Sequence, residues 1–251
     1  MDNSSATPDG TEADSTEVDL LLIVPHPDDE VFGCGGLFSK MAAFGKRVAT
    51  LTLTRGGSGR TLELCSREEL PALREAELRA SLEVLGVRDP RLLDFPDGAL
   101  NKVPEGEVIT EIRSVLEELR PKCLVTFPPN GSNGHPDHVA THRFVRAALE
   151  ASSQRPDRIY YFAAERPYSG PDRERFLSAA MIRAQHLAPT HYVDAHDFIE
   201  NKIRAMGQYE TQARSVLMFM RKFPRRLLFE TFHRAEPHYP DDQAPMTVPW
   251  L

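Results

Sequence analysis

The hydrophobic pattern of the chain switches repeatedly between two periods. "VDLLLIVP", "KRVATLTLT", "KCLVTFPP" and "RIYYFA" are short, nearly continuous apolar runs, the mark of strands covered on both faces. "RLLDF" is a shorter run of the same kind. Between them lie helical patterns. "VFGCGGLFSKMAAFG" predicts a helix ending at Gly45, and "REELPALREAELRASLEVLG" places Leu73, Leu78, Leu82 and Leu85 at helical spacing before a Gly86 stop. "GEVITEIRSVLEELR" carries Val108, Ile112, Val115 and Leu119 on one face, and "DHVATHRFVRAALEAS" reads as a further helix. Strand and helix alternate, which predicts an α/β single domain: an open, mainly parallel, Rossmann-like sheet with helices on both faces. Order is expected over 18–251. Residues 1–17 are polar, acidic and without apolar period, and read as a disordered tail. Beyond residue 164 the pattern loosens into a loop ("ERPYSGPDRERF"), a strand ("HYVDA"), a helix ("HDFIENKIRAMGQYETQ") and a Pro-rich tail from Ala235 that wraps the surface. "RRLLFE" and "ETFH" are too short to signal a second domain.

Composition changes this picture little. The 251 residues are 41% hydrophobic and 27% charged, with a net charge of −7, which argues against nucleic acid or an anionic membrane as partner. No apolar run approaches the roughly 20 residues of a membrane span, and the N-terminus lacks a leader pattern, so a cytoplasmic location is expected. The sequence is compatible with a monomer or a homo-oligomer. Three cysteines without CxxC spacing suggest neither a disulfide framework nor a cysteine zinc site. Cys34, close to the acidic loop, reads as a packing residue rather than a nucleophile.

The chemistry concentrates at predicted strand ends, where open α/β sheets bind ligands. The first apolar run ends in His26, Asp28, Asp29 and Glu30, the second in Arg55 and nearby glycines, the fourth in "PPNGSNGHPDHVATH" with His135, Asp137, His138 and His142. Successive carboxylates at a buried strand end repel each other unless a cation offsets them. His26 and Asp29, with His138 from the distant loop, would make a His₂–Asp set, the layout of a catalytic zinc site with one position left for water. Zinc lowers the pKa of such a water to roughly 7. Asp28 would then be the general base. His135 would stabilise the oxyanion or protonate the leaving group, with Asp137 fixing its tautomer and raising its pKa.

Each motif alone has a plainer reading, "HPDDE" as a loop that caps a helix with Asp28 or Asp29 near its N-terminus and "HPDH" as a helix N-terminus with exposed histidines; their joint presence at two strand ends favours the metal site. His142 sits one turn beyond His138 and could be a ligand, though a supporting or exposed role is preferred. His191, His196, His233 and His238 lack ligand spacing and read as surface or rim residues. "GCGG" fails G-x-G-x-x-G, and an acidic loop would repel a pyrophosphate. "TRGGSGR" could be a phosphate nest and reads better as a loop over the pocket.

"PHPDDE" followed at this distance by "HPDH" resembles the LmbE/PIG-L family of zinc-dependent N-acetylglucosaminyl deacetylases. "LTLTRGGSG", "REAELRASLEVLGV", "LDFPDGAL", "VDAHDFIENKIRAMGQYETQ" and "ETF" resemble further family segments, so the likeness runs from about 18 to 235. The resemblance implies His26, Asp29 and His138 as ligands of one zinc ion per chain, Asp28 as general base, and His135, partnered by Asp137, as the group stabilising the intermediate. It also implies that Arg74 and Asp97 hold sugar hydroxyls; Arg74 could instead form a structural ion pair with Glu77 or Asp97. Asn133 stands where some members carry a Tyr, and Pro25 replaces the common Ala. The implied substrate is a small-molecule amino-sugar conjugate that loses its N-acetyl group as acetate. The competing readings are a metal-dependent phosphoesterase, which would use two metals and more carboxylates, and a non-catalytic sugar-binding protein of the same fold.

Overall fold

The structure is a computed structural model that describes residues 16–167 and 177–251. All but the last two residues of the expected disordered tail, and 168–176 of the expected loop after residue 164, lie outside the described residues.

The strands are β1 (Leu20–Val24), β2 (Val48–Thr54), β3 (Asp89–Phe95), β4 (Cys123–Thr126), β5 (Arg158–Phe162), β6 (His191–Asp194), β7 (Phe229–Glu236) and β8 (Met246–Val248). The helices are α1 (Asp29–Ala43), α2 (Leu70–Leu85), α3 (Glu105–Leu119), the single turn α4 (Gly131–Gly134), α5 (Pro136–Ala151), α6 (Ala179–Ala184), α7 (Ile199–Met206) and α8 (Ala213–Lys222). One sheet has the order β3-β2-β1-β4-β5-β7-β6-β8. From β3 to β5 every pairing is parallel. β7 runs antiparallel to both β5 and β6, and β8 is parallel to β6.

β1 is buried along its whole length, and its alternate residues feed two cores. Leu20, Leu22 and Val24 pack with Leu37 and Phe38 of α1, Leu78 and Leu82 of α2 and Met206 of α7. Leu21 and Ile23 face the opposite side, with Ile112 and Leu116 of α3 and Phe144 and Leu149 of α5. A strand apolar at every position is what a sheet covered on both faces requires.

The chain leaves β1 for β2 and β3 on one side and returns to β4 and β5 on the other. β1 and β4 are therefore neighbours, with Leu20 opposite Cys123 and Leu22 opposite Val125. Their adjacent C-terminal ends form the switch point where such sheets carry ligands, and they bring the loops at His26 and His138 together.

Four differences from the sequence reading stand out. α1 begins at Asp29, two residues before the expected start, so Asp29 and Glu30 belong to its first turn. "ETFH" and its flanks form β7, an interior strand. The expected helix over 196–212 ends at Met206, and a separate α8 follows. The Pro-rich tail contributes the edge strand β8.

Candidate active site

Pro25 to Asp28 turn sharply between β1 and α1. Thr54 holds the turn from β2, its N–H and hydroxyl both donating to Pro25 O at 3.0 and 2.9 Å. Asp28 caps α1 with φ 106°, a left-handed conformation rare for a non-glycine residue. Glu30 braces it. Its Oε2 accepts from the Asp28 N–H at 3.0 Å, while Oε1 accepts from Ser81 Oγ at 3.1 Å and from the Tyr209 hydroxyl. Glu30 is fully buried; burial pushes its carboxyl up to about 7, against the pull of the Tyr209 hydrogen bond. The motif itself offers no clue to the brace, since its partners come from α2 and from the segment after α7.

Arg74 reaches the same turn from α2. Nη2 lies 3.2 Å from Asp28 Oδ2 and also donates to Pro27 O; Nη1 donates to Gly56 O at 3.0 Å. Gly56 has φ +67°, and a Cβ there would collide with the guanidinium. The sequence reading offered Glu77 or Asp97 as ion-pair partners of Arg74; the observed partner is Asp28. Glu77 instead accepts from Thr211 N–H and Oγ1, both at 2.7 Å. Burial pushes Asp28 up to about 8, with Arg74 pulling the other way.

Asp29 lies between two imidazoles. Its Oδ2 is 3.3 Å from His26 Nδ1, and its Oδ1 is 3.5 Å from His138 Nε2. His26 Nε2 points away from Asp29, at 3.1 Å from both Asp97 Oδ1 and Asp137 Oδ2. Asp137 Oδ2 also accepts from Gly98 N–H at 2.7 Å, and Oδ1 from Leu100 N–H at 3.1 Å. The Asp137 carboxylate therefore serves His26 and not His135, a correction to the expected pairing. What joins Asp137 to His135 is its backbone N–H, which donates to His135 Nδ1 at 3.2 Å. His135 is also not raised. Burial and the charge of His26 hold it below its ordinary value, outweighing the nearby carboxylates.

These contacts dictate tautomers. His135 accepts at Nδ1, so its neutral ring carries the proton on Nε2. His138 Nδ1 is 3.1 Å from Gly131 O and must donate there, which leaves an Nε2 lone pair facing Asp29 Oδ1. His26 Nε2, facing two carboxylates, must donate, and the same carboxylates favour a second proton on its Nδ1, which faces Asp29 Oδ2. A metal ion in place of that proton would meet His26 Nδ1, His138 Nε2 and the Asp29 carboxylate together. Burial pushes His138 down to about 3, so a proton there is disfavoured. His26 is held well above its ordinary value: burial opposes its charge, but the hydrogen bonds of Asp137, Asp29 and Asp97 outweigh it. The donor set of His26, Asp29 and His138 fits a divalent metal ion. Nitrogens of His26, His135 and His138 also come within 4.8 Å of one another, as do ligand atoms of His26, Asp97 and Asp137. In the second group both carboxylates face the His26 Nε2 proton, as the carboxylate support of a metal-binding histidine would.

His142 is engaged elsewhere, with Nδ1 2.9 Å from Phe127 O and its ring against Tyr161. Arg55 pairs with Glu75 and Asp94 at 3.0 and 3.4 Å. His191 is buried between Tyr160 and Tyr239 rather than at the surface. The site opens into a cavity of about 400 Å³, whose wall includes Ser58, Asn133 and Gln212 beside His135. A second part of the wall is apolar, and the sequence reading did not single it out.

Fold and site together define an α/β protein with a buried His/Asp cluster, able to hold a metal ion, at its sheet switch point. The chain belongs to the PIG-L family: the family model "PIG-L: GlcNAc-PI de-N-acetylase" matches residues 21–149. The chain is 30% identical over 226 residues to a 1D-myo-inositol 2-acetamido-2-deoxy-alpha-D-glucopyranoside deacetylase of Mycobacterium sp. (strain KMS), covering 77% of this chain and 73% of that one. It is 33% identical over 175 residues to the Rhodococcus erythropolis (strain PR4) protein of the same name, covering 61% of this chain and 58% of that relative's length. Among solved structures, the conserved protein TT1542 from Thermus thermophilus superposes with a TM-score of 0.67 at 26% identity, covering 93% of this chain and 99% of that one. The 4-carboxy-2-hydroxymuconate hydratase GalB from Pseudomonas putida KT2440 gives 0.70 at 15% identity, covering 90% and 99%, a likeness of fold alone.

Proposed function

We propose that this chain is a zinc-dependent hydrolase that removes the acetyl group from the nitrogen of an N-acetylglucosamine conjugate. The observation that carries the reading is the placement of His26 Nδ1 and His138 Nε2 against opposite oxygens of Asp29, at 3.3 and 3.5 Å. Beside them Asp28 is an acid whose ionisation the site tunes. The names of the relatives support the substrate class.

His26, Asp29 and His138 would hold the metal, with Asp97 and Asp137 orienting the His26 ring. A zinc ion there would supply polarisation of the amide carbonyl and a water made acidic enough to attack near neutral pH. Asp28 takes the proton from that water. Its Oδ2 is engaged by Arg74, so Oδ1 is the oxygen that remains for the proton. The positive charge of a bound metal would favour the ionised form of Asp28, the form that acts as a base. His135, neutral with its proton on Nε2, donates to the oxygen that gains negative charge as the carbonyl is attacked. Asp28 then returns its proton to the departing nitrogen, leaving amine and acetate.

A phosphoesterase with two metals would have to take the His26 Nε2 proton and the support of Asp97 and Asp137 for a second ion, so one metal per chain is expected. The test is acetate release from a panel of N-acetylglucosamine conjugates by the wild type and Asp28→Asn, with bound metal counted by mass spectrometry. Release by the wild type with a loss of about 10²–10⁴-fold in Asp28→Asn is expected. Equal turnover by both would remove Asp28 from the reaction. A metal-loaded wild type that acts on no conjugate would leave a sugar-binding protein.

A further inference from the structure

Three aromatic rings lead outward from the acidic turn. Phe32 lies on α1 one turn beyond Asp28, whose carbonyl accepts its N–H. The Phe32 ring stacks on Phe219 of α8, with centroids 4.8 Å apart and planes 27° from parallel. Phe219 in turn meets Phe223 at 5.8 Å. All three line the same cavity as His26, Asp28 and His138, and Met218 joins them. Phe219 is only 7% exposed, whereas Met218 and Phe223 remain 48% and 46% exposed at the rim. The shelf thus grades from covered to open with distance from the site. Solvated apolar surface of this kind, continuous with a polar reaction centre, favours a ligand that covers it.

The charges of the wall point the same way. Among the described residues lining the cavity, the acids are Asp28, Asp29 and Asp97, and Arg74 is the one lysine or arginine. Arg74 is committed to Asp28, Pro27 O and Gly56 O. Arg226 lies 5.6 Å over Phe219 and 6.0 Å over Phe223 but is not part of the wall. A carboxylate on the ligand would find no uncommitted guanidinium or ammonium on that lining.

We propose that the shelf of Phe32, Phe219 and Phe223, with Met218 at its lip, is the subsite for the group attached to the amino sugar, and that this group is apolar, aryl or alkyl, rather than anionic. The inference rests on the deacetylase reading for where the sugar sits. It makes Phe223 and Met218 specificity residues, acting on which conjugate is held and not on the hydrolysis.

Binding tests it separately from turnover. The probes are the methyl, benzyl and malyl glycosides of 2-amino-2-deoxyglucose, amines with no acetyl group left to lose, titrated calorimetrically into the metal-loaded protein. The benzyl glycoside is expected to bind about tenfold tighter than the methyl glycoside, with a negative heat-capacity change. The malyl glycoside is expected to gain nothing over methyl. In Phe223→Ala and Met218→Ala, both at exposed positions, the benzyl-to-methyl ratio should shrink towards unity. Equal affinities for benzyl and methyl, a malyl glycoside bound tighter than benzyl, or a ratio unaltered in both variants would overturn the proposal. Acetate release from the methyl glycoside of N-acetylglucosamine decides the deacetylase reading independently.

Discussion

Arg74 Nη2 lies 3.2 Å from Asp28 Oδ2, and both groups are largely shielded from solvent. The guanidinium favours the ionised form of a carboxylate that burial alone would keep protonated. As the proposed base, Asp28 must be ionised to accept a proton, so Arg74 would set the lower pH limit of activity. Replacing Arg74 with Met is expected to move the acidic limb of the kcat/KM profile to higher pH by about one unit or more, with Arg74→Lys intermediate. A limb that stays in place would disconnect the pair from catalysis.

Gly56 gives an independent route to the same effect. A side chain there displaces the Arg74 guanidinium and strains a backbone held at φ +67°. Gly56→Ala should reproduce the pH shift of Arg74→Met, with an added loss of stability of about 1 kcal/mol. Kinetic profiles alongside urea midpoints separate the two consequences.

Metal loading should be visible without any substrate. Zinc at about 100 times its dissociation constant adds about 2.7 kcal/mol to stability, which raises Tm by about 5–10 °C for a chain of this size. Differential scanning calorimetry with zinc and with a chelator reads the shift. His138→Ala should abolish it, and a shift of full size in that variant would exclude His138 as a ligand.

Glu30 predicts a pH slope in stability. Its carboxyl is pushed up to about 7, whereas the unfolded chain releases that proton near the ordinary 4.5. Between those values the folded state binds more protons, so stability falls as pH rises and levels off above about 7. Glu30→Gln keeps the carbonyl acceptor and lacks the titration. Compared with the wild type it should gain on the order of 3 kcal/mol between pH 4.5 and 8. Parallel denaturation curves at the two pH values measure this, and a constant difference would show that Glu30 is ionised in the fold.

Lys202 and Glu230 form a fully buried pair at 2.6 Å. Glu230 also accepts from Gly36 and Leu37 N–H of α1 at 2.8 and 2.7 Å, and Lys202 donates to Arg226 O at 2.8 Å. Lys202→Met leaves an uncompensated carboxylate and should cost about 3–5 kcal/mol. The double variant Lys202→Met, Glu230→Gln should recover part of it. The pair tethers α1, and with it the acidic turn, to α7 and β7.

The parallel half of the sheet and the helices that cover it were legible because each residue there obeys one local rule. β1 is apolar at every position, and α3 repeats Val108, Ile112, Val115 and Leu119. Both histidine motifs were legible for a similar reason, since charge at the end of a buried strand is a local anomaly. The far half was not. β7 reads "FETFHRAE", and its interior place depends on pairing with β5 and β6, which no local pattern announces. Partners at a distance escaped in the same way. Asp137 sits beside His135 in sequence, yet its carboxylate serves His26. Arg74 and Glu30 reveal their roles only when α2 and Tyr209 pack against the turn. The aromatic shelf was hidden because Phe32 and Phe219 lie on separate helices that meet only in the fold.

His26 and Asp137, in contact across the β1–β4 boundary, are 111 positions apart in the chain. On a ribosome the acidic turn therefore emerges long before the imidazole that completes its grip. During that interval the nascent segment has one histidine and unsupported carboxylates, a poor trap for any transition metal. Capture would become favourable only after β4 docks and α5 has formed, so loading with the ion would report a finished domain.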